Sequence, residues 1–137
     1  MLNIFGSTFE INERLLKKTS AEAFLYLADD FEANLRFVSE KKIRELNRIF
    51  RNRDLSTDIL SFNLEADSPS GDLVICYKEV KSQAKKWRIS ATEAASVLLV
   101  HGILHLAGYE HTKTADRVKM EKAEETILRK VGVKIEG

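Results

Sequence analysis

The 137-residue chain is poor in several features that define large classes of protein. It has one cysteine, Cys76, so an internal disulfide is excluded, which is typical of proteins from a reducing compartment. Its one proline, Pro69, lies in the turn-rich stretch 66–71, which predicts a loop between strands. The formal net charge is only +1, so the molecule as a whole is not a polycation.

Long apolar runs are also missing. The longest one, Ala94 to Ala107, is interrupted by Ser96 and two histidines and is shorter than the ~20 apolar residues of a membrane span. The start of the chain lacks the basic region and apolar run of a secretory signal. We therefore expect one compact domain over residues 1–137, cytoplasmic and with no membrane partner.

The basic residues that are present lie in two clusters. One contains Lys41, Lys42, Arg44, Arg48, Arg51 and Arg53, and the other contains Lys78, Lys81, Lys85, Lys86 and Arg88. A local basic surface attracts phosphates even when net charge is near zero, and an arginine fork matches a phosphodiester bidentately. A merely solvated basic face is the alternative for both clusters.

Hydrophobic periodicity predicts the elements. Strands are expected at about 1–5, 33–38, 59–62 and 72–76, and helices at about 12–28, 40–50, 78–87 and 113–130. Side chains expected to face the core are Ile43, Leu46 and Phe50 on the second helix, Trp87 on the third, Val118, Ala123 and Ile127 on the last, and Cys76 on a strand.

One further helix is apolar on nearly every side. Ser90 and Glu93 form a capping box before it, and Ala94 to Ala107 continue it. Such a helix is normally buried in the core. Gly108 supplies the left-handed residue that ends a helix.

The three histidines of the chain fall within eleven residues around this helix end. His101 and His105 are one turn apart on one face, and the turn at Gly108 lets His111 return toward the same point. This pattern predicts one divalent ion, zinc first, with a fourth position open for water or substrate. Nickel and copper also suit histidine ligands, and separately hydrogen-bonded histidines are the alternative to a metal site.

The spacing H-x-x-x-H-x-x-G-x-x-H equals that of the metzincin proteases. Those enzymes use a glutamate as general base at the position that Gly102 occupies here. Peptidase chemistry is therefore disfavoured. Glu110 lies inside the motif, but the sequence does not tell where its side chain points.

The segment HGILHLAGYEH resembles the signature H-G-x-L-H-L-x-G-Y-D-H of the YbeY family, bacterial rRNA maturation factors described as metal-dependent single-strand endoribonucleases. Residues 46–62, LNRIFRNRDLSTDILSF, resemble a second family block, and GDLVIC at 71–76 resembles a third. Glu110 stands where aspartate is usual. Asn52 stands where glycine is usual, and Ser56 and Asn63 stand where proline is usual.

The resemblance implies an α+β fold, with a small mixed β-sheet packed against helices and a buried metal-binding helix that carries the zincin-like motif. It implies that His101, His105 and His111 hold zinc and that Arg51 lines the cleft. We expect Arg51 and His101 to be catalytic, and Arg48, Arg51 and Arg53 to bind RNA. Asp58 or Asp72 is a candidate to orient a ligand histidine, with a turn cap or an arginine pair as the alternative.

The implied function is cleavage of single-stranded RNA in maturation of the 3′ end of small-subunit rRNA and in ribosome quality control. The implied partners are rRNA and the small ribosomal subunit, and no DNA is expected. Two alternatives remain open at this stage. One is a zinc-dependent peptidase-like hydrolase, and the other is a non-enzymatic ribosome-associated factor with structural zinc.

Overall fold

The computed structural model describes residues 1–8, 10–64, 70–110 and 113–134. The predicted loop at 66–71, which contains Pro69, lies partly outside these ranges. His111, the third expected metal ligand, lies outside them. The strands are β1 (Leu2–Phe5), β2 (Ala33–Val38), β3 (Ile59–Asn63) and β4 (Gly71–Cys76). The helices are α1 (Glu13–Leu27), α2 (Glu40–Arg51), α3 (Tyr77–Trp87), α4 (Ala91–Leu106) and α5 (Thr114–Lys130).

The four strands form one mixed sheet in the order β1-β2-β4-β3. β1, β2 and β4 run parallel, while β3 pairs antiparallel with β4 and places Ser61 opposite Leu73. The expected α+β fold with a small mixed sheet is therefore confirmed. The antiparallel strand β3 forms one edge, and this edge borders the site described below.

The two faces of the sheet support different helices, because successive side chains of a strand point to opposite faces. Leu73 and Ile75 of β4 belong to the main core with α1, α4 and α5. Val74 and Cys76 belong to a smaller cluster with Ile43 of α2. The helix with the histidines and the helix with the arginines thus pack on opposite sides of the sheet.

Helix α4 is the buried centre of the molecule. Twelve of its sixteen residues are buried. Ser90 accepts from the Glu93 amide (3.1 Å) while the Glu93 carboxylate accepts from the Ser90 amide (3.0 Å), which confirms the capping box. Gly108 has a φ of +93° directly after the helix, which confirms the predicted stop.

No single helix in the described ranges is long and apolar enough to cross a membrane. Helices α3 and α4 meet that test only as a pair, and they are bent by 109° where they join.

Two of the residues predicted to face the core are exposed. Phe50, near the end of α2, is 59% exposed, and its ring contacts Phe62 of the edge strand β3. Val118 is also 59% exposed, since α5 buries the face formed by Met120, Ala123 and Ile127. Both predictions were wrong. Phe50 lies on the predicted face of α2 but is not covered there, whereas Val118 lies on the side of α5 opposite to Ile127.

Candidate active site

The last turns of α4 bring two imidazoles together. The Nε2 atoms of His101 and His105 are 3.0 Å apart, and the rings meet edge to face with centroids 4.5 Å apart. Both residues are partly buried, whereas almost every other residue of this part of the helix is fully buried. The spacing of four residues therefore has the geometric result expected from the sequence, with both rings directed at one point.

A carboxylate on α5 holds the first of these rings. Glu124 Oε1 lies 3.2 Å from Nδ1 of His101, and the two side chains are 23% and 30% exposed. Because a carboxylate only accepts, Nδ1 of a neutral His101 carries the proton and its Nε2 presents a lone pair toward His105. Glu124 was missed in the sequence, where it is one acidic residue among several on an amphipathic helix; only the packing of α5 on α4 singles it out.

An open cleft of about 460 Å³ lies in front of the histidines. Strand β3 and the loop before it form one side of the cleft, and the end of α2 closes another. Its polar lining residues are Arg51, Thr57, Asp58, Ser61, Asn63, His101 and His105. Arg51, His101 and His105, which lie far apart in the sequence, therefore share one cavity.

Arg51 is fixed by the way that α2 ends. It is the last helical residue, and Asn52 follows in the left-handed conformation with φ 56° and ψ 36°. The Arg51 Nη2 donates to the carbonyl of Ser61 (2.6 Å), and its Cζ lies 4.8 Å from the centre of the Phe62 ring. A guanidinium has five N–H groups, so this anchoring leaves others to face the cleft.

The conformation of Asn52 explains one departure from the family pattern. Glycine is the residue that adopts a positive φ without strain, and asparagine is the side chain that tolerates it best. Asn52 therefore supports the same turn that a glycine would make.

A buried amide, Asn47, holds the loop after this turn. Asn47 is 4% exposed, and its Nδ2 donates to the backbone carbonyl of Leu55 (2.9 Å). Its backbone carbonyl accepts from the Arg53 amide (3.2 Å). Asn47 belongs to the block at 46–62 that resembles the family. In the sequence, only its position on an otherwise apolar helix face indicates that it holds this loop.

The two aspartates considered as histidine partners have other neighbours. Asp58 lines the cleft, where its carboxylate accepts from Gln83 Nε2 (3.2 Å) and from the Thr57 hydroxyl (3.5 Å). Asp72 accepts from Asn34 Nδ2 (3.0 Å) and shares its sheet face with Val74, opposite to α4. Asp72 is therefore not the orienting residue, and Glu124 has that position.

Gly102 packs directly against the sheet. A Cβ placed there would lie 2.7 Å from both Ile59 Cδ1 and Leu73 Cδ2, which is closer than carbon atoms approach. A side chain at this position would have to displace the ends of the Ile59 and Leu73 side chains.

Arg48 and Arg53 are exposed on either side of Arg51 and do not line the cleft. Arg44 pairs with Asp54 (2.9 Å), whereas neither Arg48 nor Arg53 forms an ion pair with a described residue. Their positive charge is therefore exposed on the same end of α2 as Arg51.

The donor set fits a divalent ion as far as the described ranges extend. Within them, no group of three histidine, cysteine or acidic side chains is placed to hold a metal, and His111 lies outside them. Two nitrogens that bind one tetrahedral zinc ion at about 2.0 Å are about 3.3 Å apart, close to the 3.0 Å between His101 and His105. A carboxylate on the second ring nitrogen, as Glu124 provides, is the usual partner of a metal-binding histidine.

The chain is similar to proteins of one family. The family model described as Endoribonuclease YbeY matches residues 6–132. Proteins named Endoribonuclease YbeY from Finegoldia magna and Alkaliphilus metalliredigens are 39% and 34% identical, covering 77% and 90% of this chain and 72% and 89% of theirs. The solution structure of a Thermotoga maritima protein matches with a TM-score of 0.65 and 28% identity, covering 95% of this chain and 91% of that one. The chain therefore belongs to the YbeY endoribonuclease family.

Proposed function

We propose that this protein is a metal-dependent endoribonuclease that cleaves single-stranded RNA, with zinc as the metal. The observation that carries the proposal is the meeting of Arg51, His101 and His105 in one cleft with an exposed arginine on each side of Arg51. Its relatives carry the name endoribonuclease, whose substrate is RNA. We place its action in the cytoplasm, in maturation of the 3′ end of small-subunit rRNA and in ribosome quality control, with residues 1–137 acting as one domain.

The side chains of the cleft have distinct tasks in this proposal. His101 and His105, with His111 as the third ligand, hold the ion, and Glu124 keeps the His101 lone pair directed at it. A divalent ion in such a site supplies Lewis acidity and lowers the pKa of coordinated water.

Arg51 binds the scissile phosphate and stabilises the negative charge that builds up on it during cleavage. The Ser61 carbonyl and the Phe62 ring hold the guanidinium in place before substrate arrives, so little ordering is needed on binding. Arg48 and Arg53 attract the phosphates on either side of the cleaved bond.

A peptidase function is not favoured. Metzincin chemistry needs a glutamate as general base, and this chain has at that position Gly102, which packs against the ends of Ile59 and Leu73. A role as a non-enzymatic factor with structural zinc has no specific observation in its favour, since an open cleft with an anchored arginine adjoins the histidines.

The test is cleavage of a labelled single-stranded RNA that carries the 3′ end of small-subunit rRNA. Wild type is compared with Arg51→Ala and His105→Ala, purified in parallel and assayed with and without chelator. Arg129→Ala, an exposed arginine on α5 that pairs with Glu125, is the matched control.

We expect Arg51→Ala and His105→Ala to lose at least about 100-fold in rate, as for removal of one group that stabilises transition-state charge. Arg129→Ala should cleave RNA like wild type, and chelator should abolish cleavage by wild type and by Arg129→Ala. Equal cleavage by all four proteins would mean that the activity comes from a contaminant or another site, and the proposal would be wrong.

A further inference from the structure

An exposed aromatic side chain directly precedes Arg51 at the end of α2. Phe50 is 59% exposed, although helical periodicity places it on the face of α2 that points toward the core. Its ring meets Phe62 edge to face, with centroids 5.5 Å apart and an interplanar angle of 67°. A ring that is 59% exposed keeps aromatic surface that another flat ring can cover.

Phe50 is linked to the cleft through Phe62 and Arg51. Phe62 contacts both Phe50 and the guanidinium of Arg51, and Arg51 lines the cleft. The Phe62 ring therefore connects Phe50 with a side chain that lines the cleft. Arg48 and Arg53 add positive charge on the same end of α2 without an ion-pair partner in the described ranges.

An aromatic ring next to exposed arginines is the combination that binds unpaired nucleic acid. Bases stack on the ring, while the arginines contact the phosphates between them. A stacked base must be unpaired, so such a ring also discriminates against duplex RNA. A protein partner would more often bring acidic side chains to the arginines, but it would not need an open ring face beside the cleft.

We propose that Phe50 is a stacking platform for one unpaired base of the RNA substrate, next to the nucleotide whose phosphate reaches Arg51. This inference rests on the proposed function, since it names a base-binding position of the same site. Phe50 then contributes part of the preference for single-stranded RNA, while the residues of the cleft carry out the cleavage.

The experiment measures binding and cleavage of one labelled single-stranded RNA by wild type, Phe50→Ala, Phe50→Leu and Phe50→Trp. Ile49→Ala is the matched control, because Ile49 is a neighbouring side chain of α2 that is 53% exposed and points away from the arginine face. Binding is followed by fluorescence anisotropy and cleavage by gel. The same RNA is also prepared with a single abasic site at each position in turn.

We expect Phe50→Ala to bind about 5- to 20-fold more weakly, toward the lower end of the stacking loss per base because Phe62 already covers part of the ring. Phe50→Leu should resemble Phe50→Ala, Phe50→Trp should bind at least as tightly as wild type, and Ile49→Ala should be unchanged. At one abasic position, wild type should weaken to the level of Phe50→Ala, and Phe50→Ala should lose nothing further.

Several results would overturn the stacking platform. They are equal binding by wild type and Phe50→Ala, equal binding by wild type and Phe50→Leu, or an additive loss at every abasic position. Binding of RNA without cleavage by wild type would contradict the nuclease function, while the comparison of variants would still decide whether Phe50 stacks a base. Absence of any RNA binding by folded wild type would contradict both.

Discussion

Replacing Glu124 by glutamine tests how the histidine pair is held. The change keeps the size of a side chain that is 23% exposed and lies 3.2 Å from His101 Nδ1, but it removes the negative charge. A glutamine offers two arrangements. Its amide oxygen accepts more weakly from Nδ1–H, or its amide nitrogen donates to Nδ1, which moves the imidazole proton to Nε2 and blocks that nitrogen as a ligand.

The expected effect is a 10- to 100-fold weaker affinity for zinc, the usual loss when such a partner of a metal ligand is changed. That range equals about 1.4–2.7 kcal/mol. It agrees with about 1.5–3 kcal/mol for a hydrogen bond to a charged group, taken toward the lower end because both side chains are partly exposed.

The assay is competition for zinc against a chromophoric chelator, and the Co²⁺ absorption spectrum of each protein reports the ligand geometry. Glu125→Gln is the matched control, since Glu125 is the next residue of α5 and pairs with Arg129 at the surface. Thermal unfolding without metal shows whether each variant is folded. An unchanged zinc affinity of folded Glu124→Gln, or an equal loss in Glu125→Gln, would refute the assigned role of Glu124.

Three further predictions concern packing around the site. Gly71→Ala should lower the free energy of unfolding by about 3 kcal/mol or more, because the new Cβ would lie 2.3 Å from the Phe62 carbonyl oxygen; chemical denaturation measures this, and a loss below 1 kcal/mol would contradict it. Gly102→Glu would complete the metzincin motif, yet it should lower the free energy of unfolding and give no casein cleavage, because the carboxylate would have to displace the ends of Ile59 and Leu73 at a buried position; an active peptidase of unchanged stability would show that the cleft is built differently. Ser56→Ala should raise the free energy of unfolding by about 1 kcal/mol, since the buried Ser56 hydroxyl has no hydrogen-bond partner among the described residues; a lower melting temperature would show that this hydroxyl is satisfied.

The elements of the fold could be predicted because each depends on neighbours in sequence. The capping box at Ser90, the apolar character of the following helix and the stop at Gly108 are local features, and the structure confirms all three. The spacing of His101 and His105 has the same basis, since helix geometry alone places residues four apart on one face. The motifs resembling the YbeY family also predicted the family to which the chain belongs.

Other parts of the site depend on segments that are distant in sequence. Phe50 has the periodicity of a core residue, but its ring meets Phe62 of the edge strand and stays 59% exposed. The position of Glu124 beside His101 follows from how α5 packs on α4, and no pattern within α5 indicates it. Asp72 was one of two acidic candidates for that place, and the register of β4 puts it on the other face of the sheet.

The sequence by itself determined the identity of the chemical groups, the helices and strands that carry them and the pairing of two imidazoles, because these depend on composition and on contacts within one or two helical turns. Only the tertiary structure decided which carboxylate lies against His101, which groups anchor Arg51, and that Phe50 is exposed. The physical reason is that packing joins surfaces from α2, β3, α4 and α5, and the extent of each surface depends on its neighbours.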